Sequence, residues 1–237
     1  MTTSDTSAPA QAGGAPPEAR RQERHLTKNA GRLVDRRIGG PRGLQTRLDD
    51  NKSRRARGEL AALRRGVSRS PGELPEIWEL TRVEVPESAG DAPTWEEIAV
   101  HTAMTLYAVH QQSRTKPMFS PGAGLGSAAR RLIGPPDEEN PSARTRFNAL
   151  VTSTTVAELR HHLRSFVSLL RARGIALDHA MLADDILHFQ QPGGARRVRL
   201  TWSREYQFLS AESLPSFDDA APASTTNSTT TAPTPEN

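Results

Sequence analysis

Apolar residues recur at intervals of three and four along most of this chain, the spacing that lays them on one side of a helix. Leu26, Leu33 and Ile38 mark a first basic helix. Gly39-Gly40-Pro41-Arg42-Gly43 interrupts it, because Gly and Pro together cannot continue helical backbone. Leu44 and Leu48 predict a further turn or two. Ser53 is placed to cap the next helix, with Leu60 and Leu63 on its apolar side and Gly66 as its stop. A turn over residues 70–75 leads to a short element around Ile77, Trp78 and Leu80, and residues 81–93 read as a loop.

Thr94 and Glu97 have the capping-box spacing ahead of a stripe formed by Trp95, Ile98, Ala99, Thr102 and Leu106, widened by Met104 and Val109. The pattern ends near Gln112. A loop with Pro117, Pro121, Gly122 and Gly124 precedes a short helix expected over Ala128–Ile133. Asn140-Pro141 is a cap followed by proline at the first helical position. Thr155 and Glu158 supply another capping box, before an apolar face of Leu159, Leu163, Phe166, Val167 and Leu170 that Gly174 stops. Asp178 caps a helix carrying Leu182, Ile186 and Phe189. Gly193-Gly194 breaks it, and Val198, Trp202, Tyr206 and Leu209 line the last one. No alternating strand pattern and no repeat of solenoid period is present. The fold class is all-α, a two-lobed helical bundle.

Composition adds the boundaries. Residues 1–22 and 213–237 are rich in Ala, Pro, Ser and Thr and are expected to be disordered tails, since they bury too little apolar surface to offset chain entropy. Gly134-Pro135-Pro136 with Asp137, Glu138 and Glu139 separates a basic N-terminal lobe (23–136) from a C-terminal lobe (137–212). The absence of cysteine removes disulfides, thiolate metal sites and a Cys nucleophile. With no apolar leader and no apolar stretch approaching the roughly 20 residues of a membrane span, the chain reads as soluble and cytoplasmic, without a membrane partner.

Charge changes the picture most. Residues 20–65 carry fifteen Arg or Lys against five Asp or Glu, a local +10 in a chain of total charge +4. No Phe, Trp or Tyr precedes Trp78. Such a region is suited to neutralising phosphates and has nothing with which to stack bases. Arg54, Arg55 and Arg57 share a helix with Arg64 and Arg65, and Arg69 follows. Arg130 with Arg131, Arg144 with Arg146, and Arg196 with Arg197 and Arg199 recur near the ends of later helices. A shared basic face tracking a nucleic-acid backbone is the expectation from these residues. Arg160, Arg164, Arg171 and Arg173 are assigned instead to the polar side of their helix.

Other chemistry finds little support. Gly122-x-Gly124-x-Gly126 follows no apolar strand and precedes no Lys-Ser or Lys-Thr, so it reads as a flexible lead into a helix, whose start could still offer N–H groups to a phosphate. His161 and His162 point to different sides of a helix. Asp184 and His188, four apart, lack a third ligand, so neither metal nor cofactor is expected. Asp184 and Asp185 read as a solvated face, and His101 and His110 as core-edge residues. Nothing resembles HExxH, a nucleophile elbow or a carboxylate cluster, so no enzyme is expected.

Several motifs in order resemble a known family. They are Glu59-Leu-Ala-Ala-Leu-Arg-Arg-Gly-Val-Ser68, Leu106-Tyr-Ala-Val-His-Gln-Gln112, Gly124-Leu-Gly-Ser-Ala-Ala-Arg-Arg-Leu132, Arg146-Phe-Asn-Ala-Leu150, Leu159 to Leu170 with its two histidines, and Leu177-Asp178 opening a helix that ends in Phe189. Together they resemble the CasB family, the small subunit of the type I-E CRISPR surveillance complex Cascade, over about residues 25–210. The resemblance implies a non-catalytic, two-lobed subunit present in two copies along the belly of Cascade. Its implied partners are the backbone and large subunits, a second copy of itself, the guide RNA and the target DNA. It would border the guide RNA–target DNA duplex and help hold the displaced strand, the cutting being done by a separately recruited nuclease-helicase. By matching positions, Arg64 and Arg65 fall on a basic pair of the family's nucleic-acid side, and Arg130, Arg144, Arg146, Arg196 and Arg197 in stretches that are generally basic there. Residues 39–43 are an insertion relative to the family, and Ser127 stands where the family often has a basic residue. The competing readings are a stand-alone helical DNA- or RNA-binding regulator and a purely structural helical adaptor.

Overall fold

Local capping fixes where the helices begin. The computed structural model describes residues 29–49 and 54–212; the two tails expected to be disordered, together with Leu26 and Ser53, lie outside them. Ten α-helices form among the described residues: α1 (Asn29–Ile38), α2 (Leu44–Asp49), α3 (Arg54–Gly66), α4 (Trp78–Thr81), α5 (Trp95–His110), α6 (Leu125–Ile133), α7 (Pro141–Thr152), α8 (Val156–Arg173), α9 (His179–Phe189) and α10 (Gly194–Glu212). No strand is present among these residues; a single isolated bridge pairs Phe119 with Leu177. None of these helices is long and apolar enough to cross a membrane.

The Thr94–Glu97 capping box is complete: Thr94 Oγ1 accepts from Glu97 N–H at 3.2 Å, and Glu97 Oε2 accepts from Thr94 N–H at 2.8 Å. At α8 only half of the expected box forms. Thr155 Oγ1 takes Glu158 N–H, but the Glu158 carboxylate reaches one residue further back, to Thr154 N–H. Asn140 and Asp178 cap α7 and α9 as their spacing predicts, and Gly174, at φ 66°, closes α8 in the left-handed conformation that glycine adopts without cost. Helix α6 starts at Leu125, three residues earlier than expected, because Gly124 takes the extended N-cap conformation.

Helix α5 is the axis of the core. Helices α1, α3, α4, α8 and α9 all pack against it, and the chain from Ala99 to Ala108 is buried on every side. This overturns the single apolar stripe drawn through Trp95, because Trp95 itself is 48 % exposed at the helix start. His101 and His110 lie inside the core, not at its edge. Polar residues survive there through local bonding: Thr105 Oγ1 donates to the His101 carbonyl at 2.8 Å. His110 bonds the Ile175 carbonyl through Nε2 and the His179 ring through Nδ1, each at 3.0 Å. Donation to that carbonyl leaves His110 Nδ1 as the acceptor of His179 Nε2–H. Burial lowers both pKa values, that of His110 to about 4, so the pair stays neutral.

Helix α9 joins α5 and α1 to α10, and α10 in turn covers α6, which also meets α7 and α8. Buried carboxylates tie this junction together. Asp184 Oδ1 accepts Gly31 N–H of α1 at 2.7 Å, and Asp185 Oδ2 accepts Trp202 Nε1–H of α10 at 2.7 Å. Asp184 and Asp185 are therefore not a solvated face. Burial, then the neighbouring charge of Glu205, raises the Asp185 pKa well above the usual carboxylate value.

Candidate nucleic-acid interface

Helix α3 places its arginines by helical arithmetic. Arg57, Leu60 and Arg64 are three and four apart and so share a face. That face lines a groove of about 600 Å³, opposite Gln45 and Leu48 of α2 and against Gln112 and Arg114 beyond the end of α5. No aromatic ring lines it among the described residues. Sequence reasoning overlooked Arg114. Ser113, at φ 57°, turns the chain back at that point, and nothing local in the sequence announces it. The Arg114 guanidinium also donates to the carbonyls of Arg171 and Ala172 at the end of α8, which fixes the groove wall.

The remaining α3 arginines differ in their freedom. Arg54 and Arg69 are exposed. Arg55 pairs with Glu59 at 3.0 Å, and Glu59 also holds Arg47 of α2. Partial burial works against the Glu59 charge, but the bonds from Arg47 and Arg55 outweigh it and hold its pKa below the usual value. Arg65 pairs with Glu76. The polar side of α8 grips the segment after α3: Arg160 Nη2 donates to the Arg69 carbonyl at 2.8 Å, and Arg164 Nη1 to Ser68 Oγ at 2.7 Å.

The second set surrounds α6, α7 and α10. Arg144 forks onto Glu139 at 2.8 and 3.0 Å, donates to the Tyr206 hydroxyl at 2.7 Å, and lies 5.0 Å from the centre of the Tyr206 ring. The bond to Glu139 foremost raises the Arg144 pKa. Arg130 donates to the Gly134 carbonyl at 2.9 Å and lies 5.6 Å from the centre of the same ring, so two cations lie against one tyrosine, which also stacks with Phe147. Arg146 is exposed and bonds Ser142 on its own helix. Arg131, Arg196 and Arg197 are exposed, and Arg199 donates to the Ser153 carbonyl. Ser127 is turned inward and donates to the Gly124 carbonyl at 2.8 Å.

The glycine-rich loop is structural. Asp178 Oδ2 accepts Gly122 N–H at 2.7 Å, and Glu205 Oε2 accepts Gly126 N–H at 2.9 Å. The start of α6, which could have offered N–H groups to a phosphate, is already occupied by the chain's own carboxylate. A side chain at Gly126 would run into the Trp202 carbonyl oxygen, so glycine there lets α10 lie directly on α6. Among the described residues no group of three His, Asp or Glu side chains is placed to hold a metal ion.

Comparison with known proteins agrees with the geometry. Residues 59–206, more than half of the chain, match the family described as CRISPR-associated protein Cse2. The chain is similar to CasB from Thermobifida fusca, whose crystal structure superposes with a TM-score of 0.63 at 36 % identity, covering 75 % of this chain and 97 % of that one. No curated protein matches it. The motifs, the helical order and both likenesses converge: this chain belongs to the Cse2/CasB family of type I-E Cascade subunits.

Proposed function

We propose that this subunit grips nucleic-acid backbone without sequence preference and so stabilises the guide RNA–target DNA R-loop and its displaced strand. The observation that carries the reading is the groove lined by Arg57 and Arg64, with Arg114, tied to the Arg171 and Ala172 carbonyls, in its wall. It presents guanidinium groups in a cleft that offers no ring for base stacking among the described residues. Exposed Arg54, Arg69, Arg131, Arg196 and Arg197 are the further candidates for phosphate contact. Exchange of a DNA duplex for an RNA–DNA hybrid is nearly balanced in free energy, so a few backbone contacts suffice to tip it at any sequence, while base pairing does the reading. The reading gives the chain no catalytic role and places it in the cytoplasm. There it works beside the backbone and large subunits, a second copy of itself, guide RNA and target DNA.

The test is Arg64→Ala with Arg65→Ala in the assembled complex. Target-DNA affinity is expected to fall and the salt dependence to flatten, with assembly intact. Equal loss of assembly would make the pair structural. Recovery of the unsubstituted chain alone on heterogeneous DNA would favour a stand-alone nucleic-acid-binding protein instead.

A further inference from the structure

Beyond α5 the wall of the arginine groove is irregular backbone, and two glutamine amides that line the groove hold it. Gln111, the residue that caps the end of α5, is only 6 % exposed. Its Nε2 donates to the Arg114 carbonyl at 2.9 Å and to the Lys116 carbonyl at 3.1 Å, and its Oε1 accepts Met118 N–H at 2.9 Å. Gln45 of α2 continues the arrangement one residue further on. Its Oε1 accepts Phe119 N–H and its Nε2 donates to the Phe119 carbonyl, each at 3.1 Å. Together the two side chains do for residues 114–119 what a neighbouring strand does for a strand edge, supplying partners to backbone groups that no helix serves.

Both amide hydrogens of Gln111 are used in these bonds, so it has no donor left for a phosphate. Any effect it has on the groove must pass through the backbone it holds. Ser113, at φ 57°, sits in the left-handed region that a residue with a Cβ occupies at a cost, and it persists there only because its surroundings fix it. Gln111 fixes the next residue twice: its own carbonyl accepts Arg114 N–H at 3.1 Å, and its side chain takes the Arg114 carbonyl. At the far end of the Arg114 side chain, Nη2 alone carries the bonds to the Arg171 and Ala172 carbonyls. Nε and Nη1 are left without a partner among the described residues. A guanidinium fixed at both ends of its side chain loses little freedom when a phosphate arrives.

We propose that Gln111 is a positioning residue of the groove: its buried amide sets where Arg114 stands and so readies a guanidinium for a phosphate, without itself touching the nucleic acid. Gln45 supports the same segment at its other end. The proposal rests on the reading of this groove as the nucleic-acid site.

The experiment measures target-DNA affinity of the assembled complex for Gln111→Met in two backgrounds, the unsubstituted chain and Arg114→Ala. Methionine keeps the length of the side chain but has no amide to donate or accept. Arg114→Ala is expected to weaken binding about tenfold. Gln111→Met is expected to weaken it about three- to tenfold where Arg114 is present, and by less than about 1.5-fold where it is absent. An unchanged affinity in the unsubstituted background overturns the proposal, as does an Arg114→Ala chain that binds normally. An equal loss in both backgrounds overturns it too, because Gln111 would then serve general stability. If Gln111→Met does not fold, Gln45→Met, which releases only Phe119, gives the same comparison. Arg57→Ala with Arg64→Ala in the same assay separates the two readings. Should that pair leave affinity intact, the groove reading falls and the proposal with it; should only Gln111→Met be without effect, the groove reading stands.

Discussion

The arginines of α3 and those around Tyr206 occupy similar sequence settings, at helix ends and often in pairs, yet the fold treats them oppositely. Arg57 and Arg64 open into a groove. Arg130 and Arg144 close on a tyrosine, a carboxylate and a carbonyl. The difference lies in what the rest of the chain delivers. Helix α10 brings Tyr206 to Arg144 from 62 residues away, whereas the rest of the groove around α3 carries three glutamines, Gln45, Gln111 and Gln112, and another arginine, with no carboxylate among the described residues. A basic residue is free for a phosphate only where no acceptor has been folded against it.

Exchanging the two pairs is the sharpest way to break this contrast. Arg57→Ala with Arg64→Ala is expected to weaken nucleic-acid binding about 100-fold, roughly tenfold for each lost charge-assisted contact, with little change in melting temperature. Arg130→Ala with Arg144→Ala is expected to do the reverse, changing binding by less than about threefold and lowering the melting temperature by several degrees. Filter binding beside thermal denaturation measures both. Equal binding losses in the two pairs would erase the distinction.

Two helical glycines extend it to backbone packing. Gly126→Ala forces α10 off α6 and is expected to cost about 2–3 kcal/mol in chemical denaturation. Gly58, within α3, has nothing within 4 Å of an added Cβ, so Gly58→Ala is expected to stabilise by about 0.5–1 kcal/mol. A similar loss at both positions would mean that α3 is packed as tightly as α6.

A pH-linked effect concerns the floor beneath α3. Both His101 ring nitrogens are buried without a partner among the described residues, and burial foremost lowers the pKa to about 4. The neutral ring is thus favoured in the fold, while the unfolded chain takes up a proton near pH 6.5. Stability should therefore fall as pH drops from 6.5 toward 4, by about 3 kcal/mol at most from this residue. His101→Leu is expected to flatten that portion of a denaturation-versus-pH curve; an unchanged slope would contradict the assignment.

What the sequence disclosed follows the range of the interactions. Caps at Thr94, Asn140 and Asp178 act within a few residues and can be read directly. So can the apolar face of α8 and the family motifs. Burial of α5 on all sides was hidden by His101, Thr105 and His110, which look like polar positions until their bonds and neighbours are known. Asp184 looks solvated because its partner, Gly31, lies 153 residues away. The same holds for Glu205 at the start of α6 and for the two arginines gathered at Tyr206. Composition located the positive charge, but only the tertiary structure separates the arginines that are spent from those that remain available.

The burial of α5 also bears on how the chain is made. Helix α5 ends at His110, but two of its covering helices, α8 and α9, begin only at Val156 and His179. At a synthesis rate of roughly 10 residues per second, several seconds separate its emergence from its enclosure. During that interval a helix meant for the interior stands partly uncovered beside the ribosome. Slower translation before residue 156 would lengthen the exposure, so yield of this subunit should respond to codon choice and chaperone supply more than its final stability suggests.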